Sequence, residues 1–393
     1  MSEPLVLAAA VRTPIGKFGG AMAPLSAADL GSAAAQACLD RADLDPAAVD
    51  QAIFGHARQA GGGPNTARQV AFRAGVPVER SAYTINQACG SGLQAVFSAA
   101  RAIRLGEAQI VLAGGTESMS NTPYMLPRAR WGYRLGHAEL TDGMYRDGFN
   151  DPLSELVMGE TAEELADETG VDRAAADAFA AQSQQRCEAA RADNRFDVEI
   201  APVTVPQRKG DVVVAADEHP RDGVEAESLA RLKPVFREGG TVTAANASGI
   251  TDGAAALIVA SEKAAVDHGL VPLARLIDWE VVGVEPRIMG IGPVPAVRNL
   301  LARQELEIDA IDEVELNEAF ASQALACLQE LPFASERVNP DGGAIALGHP
   351  IGCTGARILV TLMHGMALRG GQRGIATLCV SGGLGLAALI ERR

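Results

Sequence analysis

Three stretches of the 393-residue sequence set a reactive side chain among glycines. INQACGSGLQAVF carries Cys89 between an extended apolar run and an amphipathic one. NPDGGAIALGHPIGCTGAR carries His349 in a Gly-rich turn ahead of a helix, and TLCVSGGLG carries Cys379 at the end of an apolar run. A thiol at a helix start meets unpaired N–H groups and about half a positive charge. That predicts a lowered pKa and more thiolate, the form that attacks carbonyl carbon. The same N–H groups predict a seat for an oxyanion, and Gly90 and Gly92 predict an open approach of substrate to the backbone. The turn resembles the strand-to-helix nucleophile turn of hydrolases, with sulfur in place of oxygen. Taken alone, Cys89 reads equally as a small buried filler, and His349 as a structural histidine. ELNEAF adds Asn317 and Glu318 at a further strand end, and Cys89, His349, Cys379 and Asn317 at matching strand ends predict one cleft.

The elements that must hold these groups alternate between strand-like and helix-like runs, as in an α/β architecture. LVLAAAV (5–11), QAIFGH (51–56), AYTINQ (82–87) and AQIVLAGG (108–115) read as strands, with a helix over 26–42. A second helix runs from Gly92, where Leu93, Val96, Phe97, Ala100 and Ile103 recur at helical spacing. The last third repeats this order: LARLIDWEVVGV (273–284), EVELNEAF (313–320), RVNPDGG followed by a helix from Thr354, then GIATLCVSGGLGLAALI (374–390). The offsets are all roughly 260 to 265 residues, which predicts an internally duplicated core. Between the copies lies an irregular segment rich in Pro, Arg and acidic residues. One helix is predicted there from the capping box Thr161-x-x-Glu164, and another from near Asp172. The expected division is residues 1–118 with 250–270 as an N-terminal core, 119–249 as an inserted loop region, and 271–393 as a C-terminal core. Ligands of such folds sit where halves meet and strands end.

The formal charge of −15 lacks the basic footprint of a nucleic-acid binder, though an anionic small ligand needs only a few local cations. No run approaches the roughly 20 apolar residues of a membrane span, and no basic leader opens the sequence. The six cysteines, at 38, 89, 187, 327, 353 and 379, form no CxxC or zinc spacing. The expectation is a soluble, cytoplasmic protein without membrane or nucleic-acid partners.

NQACGSGLQAV, NEAF, NPDGGAIALGHPIGCTGAR and TLCVSGGLGLA together resemble the active-site blocks of the thiolases, in order and spacing, and the likeness runs from Val6 to Ile390. The resemblance implies an α/β fold of two similar layered core domains with an inserted loop domain, in a homo-oligomer, tetramer or dimer. It implies acyl-CoA C-acetyltransferase activity: acetyl-CoA and an acyl-CoA condense reversibly to 3-oxoacyl-CoA and CoA through an acyl-Cys89 intermediate. No cofactor is implied; coenzyme A and acyl-CoA are substrates. By motif match, Cys89 is the nucleophile, His349 its base, and Cys379 the second acid/base. Asn317 holds a water for one oxyanion hole, and the N–H groups of Cys89 and Ser381 form the other. Similarity to CoA-contacting segments implies Arg221 near the nucleotide phosphates, with Ser228 and Ser248 on the adenylate or pantetheine. Met158, Phe236, Met289 and Phe320 match positions lining the pantetheine tunnel and acyl pocket.

Two departures stand out. Val157 replaces the His that short-chain biosynthetic members usually carry before Met-Gly, and Ser381 replaces a usual glycine, a strained choice if φ there is positive. Competing readings are a degradative thiolase preferring longer chains, a β-ketoacyl synthase-like enzyme, and a non-catalytic CoA-binding scaffold. Cys379 and Asn317 stand against the synthase, which relies on two histidines.

Overall fold

The structure, a computed structural model, describes residues 5–392. In chain order the elements that matter here are β1 (Leu5–Arg12), α1 (Ala27–Ala42), β2 (Gln51–Gly55), α2 (Thr66–Arg73), β3 (Ser81–Ile85), α3 (Ser91–Arg104) and β4 (Ile110–Ser118). There follow α4 (Met158–Thr169), α5 (Arg173–Ala192), β5 (Thr251–Ser261), β6 (Pro272–Gly283), α6 (Pro293–Arg303) and β7 (Glu313–Leu316). The chain closes with α7 (Ala321–Glu330), α8 (Ile351–Arg369), β8 (Arg373–Val380) and β9 (Leu384–Glu391).

The sheet runs β7-β8-β9-β6-β1-β5-β4-β2-β3, with the short strand Gly16–Lys17 added on β5. Its order is mirrored about the antiparallel β1–β6 pair, where Leu5 opposes Leu276 and Leu7 opposes Ala274. An isolated parallel bridge from Val314 to Val338 stands beyond β7 where β3 stands beyond β2. The duplication expected from sequence is therefore present in space. β1 and β5 are buried along their whole length, as strands covered on both faces must be.

Between the two halves lie α3 and α8. The predicted α3 stripe of Leu93, Val96, Phe97, Ala100 and Ile103 is buried, and so are Ile358, Leu359, Leu362, Met363 and Met366 of α8. Each such large side chain contributes about 1.5–3 kcal/mol on burial. α1 packs over the far side of the first half, and α6 with α7 over the far side of the second. By length and composition α8 alone could cross a membrane among the described helices, but most of it is buried inside the protein.

Several boundaries differ from expectation. α4 begins at Met158, not Thr161: the Glu160 carboxylate accepts from the Val157 N–H at 2.8 Å, while the Thr161 hydroxyl donates to Met158 O. α5 does start after Asp172, whose carboxylate accepts from the Ala175 N–H at 2.8 Å. α8 begins at Ile351, three residues before Thr354. The run 374–390 is two strands, turned at Gly382 and Gly383 with φ near +85° and +81°. β7 ends at Leu316, so NEAF lies beyond it. Residues 119–157 are largely irregular, as expected, with only the paired strands Tyr124–Met125 and Thr141–Asp142, 3-10 turns at Met119–Asn121 and Ala129–Trp131, and a turn of π-helix at Tyr145–Phe149.

Candidate active site

Cys89 from the β3–α3 turn, His349 from the approach to α8, and Cys379 at the end of β8 line one cavity of about 230 Å³. Two halves of the chain thus bring together what the sequence holds hundreds of residues apart.

The Cys89 turn is held locally. Ser91 Oγ accepts from the Gln87 N–H at 2.8 Å and donates to Ala88 O at 2.7 Å, while Asn86 Oδ1 accepts from the Ala88 N–H at 3.0 Å. The left-handed residue is Ala88, with φ of 44°, and not a glycine. Such a backbone is costly for a residue with a Cβ, and it aims the next side chain into the cavity. Gly90 and Gly92 serve protein packing, contrary to the expected open approach for substrate. A Cβ on Gly90 would press Leu386 and Val380 at 3.1 Å, and one on Gly92 would meet the Ala356 nitrogen of α8 at 2.7 Å.

The backbone N–H groups of Cys89 and Ser381 lie beside the Cys89 sulfur and favour its thiolate. Even so, burial pushes the thiol pKa up, against the lowering by the Arg58 charge and these two donors. The expected acidification is therefore overturned: desolvation of the thiolate outweighs the helix start. The resting group is a thiol that needs a base. His349 is suited to be one, because burial, aided by the Arg357 and Arg58 charges, lowers its pKa to about 3. Its Nδ1 lies 2.6 Å from Thr354 Oγ, whose own hydrogen is directed to Pro350 O at 3.0 Å. Nδ1 is then the donor, and Nε2 is left bare to accept a proton. Cys379 has its pKa raised well above the ordinary thiol value by burial, and further by Cys89.

Asn317 is fully buried, and its side-chain oxygen and nitrogen both lack a hydrogen-bond partner among the described residues. Orphaned amide atoms at such depth are rare and suit a bound water. Glu318 next to it ties two loops together: its carboxylate accepts from Ser183 Oγ at 2.6 Å, Asn339 Nδ2 at 2.8 Å and the Ile345 N–H at 3.1 Å. NEAF and the glycine-rich loop that leads to His349 are thereby joined.

Met158, Phe236, Met289, Phe320, Ser248 and Ser381 all line the cavity. Ser381 has no left-handed φ, so its replacement of glycine carries no such strain; the positive values fall on Gly382 and Gly383. Val157 also lines the wall. Arg221 is exposed and lines a smaller second cavity, which shares Ala247 with the first. Ser228 reaches neither: it is exposed and its hydroxyl donates to Glu225 O at 2.6 Å.

Sequence reasoning missed three side chains. Arg58 lines the cavity as its one charged group. Glu117 is buried, accepts from the N–H groups of Arg58 and Gly352, and lies 3.2 Å from His56 Nε2. Burial works against its charge, yet His56, Arg58 and the Gly352 N–H hold its pKa below the usual value. Thr354 orients His349. Only Thr354 had a local signal, five residues beyond the histidine.

This arrangement can acylate a thiol and shuttle protons in a largely apolar cavity, and it has relatives. The family model for the thiolase N-terminal domain matches residues 5–263, and that for the thiolase C-terminal domain matches residues 270–392. An acetyl-CoA acetyltransferase of Cupriavidus necator is 49% identical over 390 residues, covering 99% of each chain. A beta-ketoadipyl-CoA thiolase of Pseudomonas aeruginosa is 49% identical over 401 residues, covering all of both. The crystal structure of Bacillus anthracis acetyl-CoA acetyltransferase superposes with a TM-score of 0.97 at 45% identity, over 100% of this chain and 99% of that one. With both family domains matched end to end, this chain belongs to the thiolase family.

Proposed function

We infer that this protein is an acyl-CoA C-acetyltransferase, joining acetyl-CoA to an acyl-CoA and cleaving 3-oxoacyl-CoA with CoA in the reverse direction. The observation that carries the reading is the meeting of a thiol, a neutral imidazole and a second thiol on one cavity, with two backbone N–H groups beside the first sulfur.

In the mechanism this supports, His349 Nε2 takes the Cys89 proton as sulfur attacks the acetyl-CoA carbonyl. Cys379, a poor acid in isolation, protonates the departing CoA thiolate. Having given up its proton, it is a correspondingly strong base for the α-carbon of the next acetyl-CoA. The enolate oxygen is met by the water held at Asn317 together with His349. The carbanion attacks acetyl-Cys89, whose oxyanion lies between the N–H groups of Cys89 and Ser381. Expulsion of the Cys89 thiolate gives 3-oxoacyl-CoA. Coenzyme A and its thioesters enter as substrates, with no further cofactor in the scheme. The CoA path leads outward past Ala247, with Arg221 near the phosphates; Ser228 gains no support as a contact.

A homo-oligomer is part of this reading, supported by the exposed apolar side chains Tyr124, Trp131 and Leu135 of the irregular segment. Six unpaired cysteines suit a reducing, cytoplasmic setting. The test is CoA-dependent cleavage of acetoacetyl-CoA by the purified protein, with mass spectrometry of acetylated Cys89. Turnover with an acetyl group on Cys89 supports the reading, and no cleavage of any 3-oxoacyl-CoA sinks it.

A further inference from the structure

The reactive cavity is mostly apolar and carries one permanent charge. Arg58, 7% exposed, presents its guanidinium there, and among the described residues no carboxylate forms an ion pair with it. Nη1 donates to Asp147 O at 3.1 Å, and the buried Nε has no partner. The guanidinium lies over Gly148, where a Cβ would collide with it. Its backbone N–H is held by Glu117 at 3.1 Å, so the stem is fixed. Glu117 feels the Arg58 charge without pairing with the guanidinium, and a buried guanidinium nitrogen left without a partner is costly and suits an anion at some stage of the cycle.

The side of the cavity on which Arg58 stands identifies that anion. One wall, of Met158, Phe236, Met289 and Phe320, packs with Cys379 and Ala247 and leads toward the second cavity and Arg221. A separate apolar cluster of the lining, with Met119, Phe149, Ile250 and Ile351, packs with Ala57 beside Cys89. Arg58 follows Ala57 on this acyl side. The Nε–Nη2 edge of a guanidinium matches a carboxylate in bidentate fashion.

We propose that Arg58 binds a carboxylate at the far end of the acyl chain carried by Cys89, making ω-carboxy-3-oxoacyl-CoA thioesters the preferred substrate class. The inference rests on the thiolase reading above. In cleavage, Cys89 adds to the C3 carbonyl and the C2–C3 bond breaks. Cys379 gives its proton to C2, which leaves as acetyl-CoA, and the ω-carboxyacyl group stays on Cys89. The CoA thiol then attacks that thioester, its proton passing to the site bases, and releases ω-carboxyacyl-CoA. The distal carboxylate is unchanged throughout.

The test compares kcat/KM for cleavage of 3-oxoadipyl-CoA and 3-oxohexanoyl-CoA, chains of equal length that differ by carboxylate against methyl. The wild-type protein is expected to favour the carboxylate by about tenfold or more. Arg58→Met lowers that ratio about a hundredfold, and Gly148→Ala, which displaces the guanidinium without removing it, moves the ratio the same way. Equal use of both chains by the wild type overturns the inference. An equal fall for both chains in Arg58→Met, with slower alkylation of Cys89, also overturns it and assigns Arg58 to the thiol. Cleavage of acetoacetyl-CoA without carboxylate preference leaves the thiolase reading standing, whereas cleavage of none of the three removes both.

Discussion

At the start of α8 the Gly352 N–H donates to the Glu117 carboxylate at 2.9 Å, whereas the start of α3, its counterpart in the other half, meets no side-chain cap. The two helices lie against each other between mirrored halves of the sheet, so their N-termini share one neighbourhood. One positive end is occupied by a permanent, buried anion from across the duplication. The other opens on the cavity beside the reactive sulfur. The contrast teaches that a helix start can serve either as an anchor or as a catalytic surface, and that a duplicated fold can keep one of each. It also teaches that the open end does not by itself make a thiolate, because burial prevails at Cys89.

Five variants would break or sharpen this contrast. The largest effect is expected at the open end. Cys89→Ala lowers both condensation and thiolysis by at least about 10⁴-fold, while Cys379→Ala still accepts acetyl on Cys89, read by mass spectrometry. Near-normal turnover in Cys89→Ala would refute the mechanism.

Next is His349→Ala, expected to reduce kcat by about 10²–10⁴-fold. The same residue has a signature in stability. Its folded pKa, about 3, lies below the unfolded value of about 6.5. The unfolded chain therefore binds more protons between those values, and the contribution of neutral His349 is present above about pH 6.5 and lost as pH falls toward 3. Urea unfolding of His349→Ala should accordingly depend less on pH over that window; an unchanged slope would count against the burial argument.

At the anchored end, Glu117→Gln removes the charge but keeps an acceptor. A loss of about 1–3 kcal/mol in unfolding free energy is expected, with kcat down about tenfold by loosening of the first turn of α8. A stability loss with unimpaired kcat would make Glu117 an anchor alone. Ser381→Gly should matter least, with stability changed by less than about 1 kcal/mol and kcat within a few-fold. The donor is a backbone N–H and Ser381 has no left-handed φ, so a large loss would mean that its hydroxyl takes part.

Much of this was legible in the sequence, for identifiable reasons. Cys89 lies in a turn at the end of β3 and Cys379 at the end of β8, as the repeat predicts, whereas His349 follows the short helix Ala344–Leu347 ahead of α8 rather than a strand end. The buried stripes of α3 and α8 followed from helical spacing. Arg58 and Glu117 were not legible, because each acts through partners remote in sequence, Gly148 for the first and Gly352 for the second. The raised Cys89 pKa escaped for the same reason, since a local motif reveals the helix start but not the desolvation imposed by the rest of the fold. The two-strand hairpin at 373–391 was read as one run because its apolar residues continue on both sides of the Gly pair.

The mirrored sheet has a consequence for the newborn chain. β1 is wholly buried between β5 and β6, and both partners are encoded roughly 250 residues after it. At translation rates of about 5–20 residues per second, that strand waits about 12–50 s for its first neighbour. Until then an apolar segment with two open edges is exposed to wrong pairing, so the hazard of this topology falls during synthesis rather than after folding.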